Sequence, residues 1–192
     1  NKNPKNVMDA LSKVYKLKDG ILIAPDVYLG AEVKQFKIPE SDEPGKIRWA
    51  MSSSKYVARA VKDVETELEN VGLGLPKRTT TPLSQGYRPE LDQTAELDAQ
   101  RLNYYQGLVG VLRWICELGR VDILMPVSLM SHYLVSAREG HLQQLFYVFA
   151  YLKQYDRSTM VLDDTEPSYD PRQFATQDWS KYYPDAKEAI PE

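Results

Sequence analysis

The chain has 192 residues, 43% hydrophobic and 27% charged, with a formal net charge of -3, a globular composition long enough to bury a core. Its one cysteine, Cys116, excludes an internal disulfide framework, and no apolar run reaches the roughly 18 residues that suggest a membrane span. The charge is unevenly spread. Residues 1–62 carry 12 Lys/Arg against 7 Asp/Glu, residues 63–100 carry 3 against 8, residues 101–157 carry 6 against 4, and residues 158–192 carry 3 against 8. The first and third segments are therefore the ones suited to face an anion.

The first predicted helix opens at Pro4 and runs to about Leu17, with Val7, Met8, Leu11 and Val14 on one face. Residues 26–38 then alternate, Val27, Leu29, Ala31 and Val33 against Tyr28, Gly30, Glu32 and Lys34, as one strand does. A polar stretch with two prolines and a glycine (39–45) separates it from a second strand, 46–51, which places Ile47, Trp49 and Met51 on one side. The two strands suggest a hairpin with a long loop. Ser52, Ser53 and Ser54 are N-cap candidates for a helix through Asn70, with Tyr56, Val57, Ala60, Val61, Val64 and Leu68 periodic. Residues 75–100 show no period. Pro76, Pro82 and Pro89 mark a connector of unusual length, a kind that is commonly functional or linker-like.

The longest apolar-periodic segment is 104–134. Leu108, Val111, Leu112, Ile115 and Cys116 predict a helix that ends at Gly119. A second helix is expected over about 122–137, with Pro126 in its first turn. Gly107 and Gly110 lie on the first of these helices, where they weaken helix propensity but permit close approach of another backbone. Residues 138–140 read as a turn, and 141–155 as a third amphipathic helix with Leu142, Leu145, Phe146, Phe149 and Leu152 along one face. A short strand is expected near 158–163, followed by an acidic, proline-interrupted tail. The fold class is α+β: a β-hairpin with flanking helices (1–74), a connector (75–100), a three-helix bundle (101–157) and an extended acidic tail (158–192).

The chemistry-bearing patterns are few. There is no phosphate-cradling glycine loop, nucleophile motif or Cys/His metal spacing. His132 and His141 read as packing or capping residues, and Cys116 as a small core residue. Asp163-Asp164 is a paired carboxylate of the kind that holds metals for phosphoryl transfer, but its place ahead of the acidic tail reads as a turn. Basic and aromatic residues interleave through the hairpin and the helix after it, at Tyr28, Lys34, Arg48, Trp49, Lys55 and Tyr56 among others. Such a mixture suits phosphate contacts combined with stacking.

Tyr28-Leu29-Gly30, the later Trp-Ala-Met-Ser at 49–52, Tyr-x-x-Leu-Val-Gly-x-Leu at 105–112 and Arg-x-Asp-Ile at 120–123 follow one another in a fixed order. Over about residues 7–165 the chain resembles the copia-type retrotransposon reverse transcriptase, in the region after its catalytic Tyr-x-Asp-Asp hairpin. The resemblance implies that residues 1–74 are the palm end, with Tyr28, Leu29 and Gly30 on the first strand of the primer grip and Trp49 on the returning strand. It implies that 101–157 form the thumb, that Arg113 and Trp114 face or support the template–primer duplex, and that 158–192 lead toward a ribonuclease H domain. With Lys34, Arg48 and Lys55 these make up the expected nucleic-acid-binding set. The Tyr-x-Asp-Asp motif is not in the sequence; by the family's order it would lie shortly before Asn1, which makes the chain read as a piece of a longer polyprotein. The expectation is a duplex-positioning segment, inactive by itself, with no cofactor of its own and Mg2+ belonging to the complete polymerase. Its partners would be a primer–template duplex and the rest of the polyprotein, with no membrane, in the cytoplasm or nucleus. The other reading is a non-catalytic protein-interaction module derived from a retroelement. What precedes Asn1 would separate the two.

Overall fold

Among the described residues, four antiparallel strands form one sheet, in the order β1-β2-β3-β4: β1 (Val27–Tyr28), β2 (Ala31–Lys37), β3 (Ile47–Ser52) and β4 (Met160–Val161). The computed structural model describes residues 4–16, 26–37 and 47–162. The 39–45 loop, Asp163-Asp164 and the acidic tail lie outside the described residues. The single strand expected over 26–38 is instead a tight hairpin. Leu29 (φ 52°) and Gly30 (φ 96°) form a two-residue turn between β1 and β2, and both positive φ values belong to the turn type whose twist matches flanking strands. Glycine at position 30 meets that requirement, and a Cβ there would also press on the Tyr56 ring at 3.3 Å.

The β2–β3 register pairs Lys34 with Ala50, Gln35 with Trp49 and Phe36 with Arg48. Cross-strand partners share a face and neighbours along a strand alternate. One face therefore carries Glu32, Lys34, Phe36, Arg48, Ala50 and Ser52; the other carries Val33, Gln35, Ile47, Trp49 and Met51. Ala50 and Ser52 are buried, while Ile47 and Trp49 are exposed. The strand expected near 158–163 is present as β4, which extends β3 on the edge away from β2.

The helices are α1 (Pro4–Val14), α2 (Ser54–Asn70), α3 (Ala99–Glu117), α4 (Leu124–Ser131) and α5 (Glu139–Gln154). The periodic residues of α2, α3 and α5 meet in one core. Val57, Val61 and Val64 from α2, Tyr105, Leu108, Leu112 and Ile115 from α3, and Leu142, Leu145, Phe149 and Leu152 from α5 are all buried there. Cys116 joins this core, and burial pushes its thiol up to about 11, so it is an inert packing residue. The helix α3 begins five residues before Tyr104, because the Asp98 side chain accepts a hydrogen bond from Arg101 N (2.9 Å). The helix α4 is shorter than expected: it ends at Ser131, and His132 and Tyr133 close it with turn hydrogen bonds to Leu129 and Met130.

Three polar links lay the connector onto this core. The Gln144 side chain accepts from Ser84 N (3.0 Å) and Ser84 Oγ (2.9 Å), and Gln154 accepts from Thr79 N (3.3 Å). The third link is His141, which is buried and stacked on Tyr133 with centroids 4.0 Å apart. Its Nδ1 accepts from Arg138 N (2.9 Å), so Nε2 carries the proton and donates to the Pro89 carbonyl (3.1 Å). Both histidines bond to backbone, as expected of packing and capping residues; His132 Nδ1 lies 3.2 Å from Leu129 O.

Glu139 and Gly140 belong to the first turn of α5 rather than to the turn expected at 138–140. Gly140 fits there because the Asp92 carboxylate occupies the space a Cβ would fill, while Gly140 N donates to Thr94 Oγ1 (2.9 Å). Gly140→Ala is therefore expected to lower stability by about 1–3 kcal/mol, the reverse of the gain that alanine normally brings to a helix. Urea denaturation will show the sign. Desolvation alone would raise the Asp92 carboxyl, but hydrogen bonds from Thr94 and Tyr87 more than offset it and hold it below the ordinary carboxylate range. The Tyr87 hydroxyl donates at 2.6 Å, and Thr94 donates through N (2.9 Å) and Oγ1 (2.6 Å). A depressed folded pKa gives stability that is present above the unfolded value of about 3.9 and is lost as pH falls through the folded value. The urea midpoint should drop on acidification below about pH 5, and Asp92→Asn should flatten that drop.

Candidate nucleic-acid interface

The nine residues expected to touch nucleic acid fall on three surfaces. Tyr28 is exposed at the end of β1, and Leu29 is exposed in the turn with Gly30. Tyr28 pairs with Ala31 and Trp49 with Gln35, so both aromatics lie on the same sheet face. They are about 16 Å apart by strand spacing and rise, not neighbours. Lys34 and Arg48 lie on the opposite face, with Lys34 exposed and Arg48 half-buried. Lys55, at the start of α2, places its ammonium 2.6 Å from Glu32 Oε1. That hydrogen bond is the chief reason the Glu32 carboxyl sits below its ordinary range, and it offsets much of the Lys55 charge. The sheet thus separates a cationic pair from an aromatic pair that the sequence had presented as one interleaved patch.

The third surface is the outward face of α3. Asn103, Gln106, Gly107, Gly110, Arg113, Trp114 and Glu117 recur at three- and four-residue spacing, and all are exposed. The opposite side of the same helix supplies Tyr105, Leu108, Val109, Leu112 and Ile115 to the core, which fixes the rotation of the helix. Among the described residues, nothing lies within 4 Å of where a Cβ would stand at Gly107 or Gly110. The glycines are therefore not packed against another described element; they open a smooth strip between Gln106 and Arg113. The Gln106 side chain is oriented by donating to Leu134 O (2.7 Å). Beside the strip, Arg113, Ser128, Ser131 and His132 line a groove of about 310 Å3 between α3 and α4. The only carboxylate of the strip is Glu117, at its C-terminal end.

This arrangement presents one cation, one aromatic ring and a side-chain amide around a strip of bare backbone. It suits a polyanionic strand that must come close to a helix. Gln106, Ser128 and His132 were not among the residues expected to bind. Gln106 was legible, since it precedes Gly110 by four and Trp114 by eight; the α4 residues depend on helix packing. Among the described residues, no three of His, Cys, Asp and Glu gather as a metal site, and no helix is long and apolar enough to cross a membrane.

No family model matches the chain, and no solved structure does. The chain is similar to a protein of Saccharomyces cerevisiae that bears the name of the transposon Ty5-1, with 32% identity over 156 residues. The similarity covers 81% of this chain and 44% of the yeast protein, so the chain spans less than half the length of that relative.

Proposed function

We propose that the chain is part of a copia-type retrotransposon RNA-directed DNA polymerase, and that it holds the primer–template duplex while the nucleotidyl-transfer chemistry belongs to other sequence. The single observation that carries this reading is the outward face of α3, where glycines, Arg113 and Trp114 stand exposed on a helix anchored from behind. Similarity to a protein named for a transposon supports the retroelement origin, as does the order of motifs from Tyr28 to Ile123.

The physical mechanism is positioning. With no side chain at Gly107 and Gly110, the helix backbone approaches the duplex surface directly. The Arg113 guanidinium takes a phosphate, Trp114 supplies a flat surface for sugar or base, and the Gln106 amide offers a hydrogen bond that does not depend on base identity. Lys34 and Arg48 add phosphate contacts from the sheet, and Tyr28 and Trp49 add stacking surface from its other face. Contacts of this kind fix register and carry no sequence information. Mg2+ would act with the Tyr-x-Asp-Asp aspartates of the complete polymerase.

The exposed apolar residues of α1, Val7, Leu11 and Val14, lie at helical spacing and fit a protein contact with the remainder of the polymerase. They equally suit the second reading, a non-catalytic interaction module of retroelement origin.

Duplex binding separates the two. By fluorescence anisotropy, the chain should bind an RNA–DNA primer–template at low salt with an affinity that falls linearly in log–log plots against salt. Arg113→Ala should weaken binding equally on unrelated sequences and reduce the salt slope by about one. Unmeasurable affinity at low ionic strength would leave the interaction module as the better reading.

A further inference from the structure

The connector between α2 and α3 builds a pocket that duplex positioning by α3 does not use. It has a volume of about 550 Å3 and lies between residues 78–85 and Tyr147 of α5. Arg78, Thr79, Thr80, Ser84, Gln85 and Tyr147 line it, and no carboxylate does. The groove between α2 and α3 contains Asp63 and Glu67, and the groove beside α4 contains Glu117. The connector pocket is therefore the one of the three whose polar groups are hydroxyls, an amide and a cation.

Its walls are fixed in place. Thr79 N is bonded to Gln154, Ser84 to Gln144, and the Thr81 hydroxyl to Leu83 O (2.6 Å). Among its polar groups, two bear on what it could hold. Arg78 makes no hydrogen bond or ion pair with any described residue. Thr79 is only 2% exposed, and its hydroxyl has no hydrogen-bond partner. A buried hydroxyl without a partner marks a place where an acceptor is missing. An acceptor carrying negative charge would also complement the Arg78 guanidinium.

We propose that this pocket binds a phosphate group, held by Arg78 and the hydroxyls of Thr79, Thr80 and Tyr147. The phosphate belongs either to a nucleic-acid strand or to a free phosphate-bearing small molecule. The first source rests on the duplex reading above and the second does not.

The test follows the amide resonances of residues 78–85 in the full chain while inorganic phosphate is added. The expected result is saturable shifts confined to that stretch and to Tyr147. Arg78→Gln, at an exposed position, should weaken phosphate roughly tenfold or more. Thr79→Val removes the unpaired hydroxyl; it should weaken phosphate while leaving the melting temperature no lower than that of the parent chain. The same variants are then titrated with an RNA–DNA duplex. If Arg78→Gln weakens both ligands, a strand phosphodiester occupies the pocket. If it weakens inorganic phosphate alone, a free phosphate compound does. Shifts that do not saturate, or that are unchanged by Arg78→Gln, overturn the site. Failure of the α3 reading looks different: the duplex does not bind, while inorganic phosphate still does.

Discussion

Replacing Gly110 by leucine should leave the chain folded, make it slightly more stable, and weaken duplex binding roughly tenfold or more. The two effects have separate causes. No described residue lies within 4 Å of a Cβ at this position, so the leucine side chain meets none of them at its base. Glycine in a helix interior is about 0.8–1 kcal/mol less favourable than alanine, and leucine is close to alanine, so the melting temperature should rise. The added side chain then stands on the strip where the duplex is proposed to approach. Holding the backbone off by the thickness of an isobutyl group loses close contacts, and each 1.4 kcal/mol lost is about a factor of ten. Gly107→Ala should show the same pair of changes at smaller size. Thermal melts combined with anisotropy measure both. A Gly110→Leu chain that melts higher and still binds as tightly as the parent would remove α3 from the interface.

Arg120→Met should cause the largest loss of stability of any single change considered, about 3–5 kcal/mol. Arg120 is 2% exposed, and its guanidinium makes three hydrogen bonds. Nε and Nη2 donate to the two Asp122 oxygens at 2.9 and 2.7 Å, and Nη1 donates to Tyr155 O at 2.7 Å. The guanidinium also lies over the Tyr151 ring, 5.9 Å from its centroid. One side chain thus ties the turn between α3 and α4 to the end of α5. The motif Arg-x-Asp-Ile is therefore a structural clamp, and its Ile123 is buried in the core. Removing the arginine leaves the Tyr155 carbonyl without its side-chain donor and takes two of the Asp122 carboxylate's donors, the Tyr151 hydroxyl remaining to it. Asp122 is partly exposed and can rehydrate, which places the loss toward the lower end of the range. Lysine should rescue only in part, because an ammonium cannot reproduce the two-pronged contact. The hydrogen bond from Arg120 is the main cause that holds the Asp122 carboxyl below its ordinary range. The clamp is therefore intact above about pH 4 and weakens as pH falls through the folded pKa. Urea denaturation at neutral pH checks the size; a loss under about 1 kcal/mol would reduce the clamp to a surface ion pair.

The helical core was legible because α2, α3 and α5 each repeat their apolar residues every three or four positions and end at or near a glycine or a turn. What escaped the sequence had physical causes. The Leu29-Gly30 turn was hidden because a two-residue turn preserves the alternation of period two, so Val27, Leu29, Ala31 and Val33 read as one strand. The end of α4 was overrun because Tyr133 and Leu134 continue the apolar spacing and pack on the core from a turn. The connector has no period of its own; its order comes from Gln144, Gln154 and His141, more than fifty residues away along the chain. Gly140 looked like a turn residue because glycine is a poor helix former, and only the Asp92 carboxylate explains its place in α5. At the candidate site, Arg113 and Trp114 were expected on the surface through the resemblance, and both are exposed on α3. The division of Lys34 and Arg48 from Tyr28 and Trp49 was not legible, because it depends on cross-strand register.

The chain contains three tryptophans, so a nitrogen-15 spectrum displays three indole N–H signals. Adding an RNA–DNA primer–template at low ionic strength should move the Trp114 signal saturably, with the same midpoint as anisotropy, and Gly110→Leu should shift that midpoint to roughly tenfold or more higher duplex concentration. A Trp114 signal that stays in place while the duplex is fully bound would contradict the assignment of the α3 face to nucleic acid.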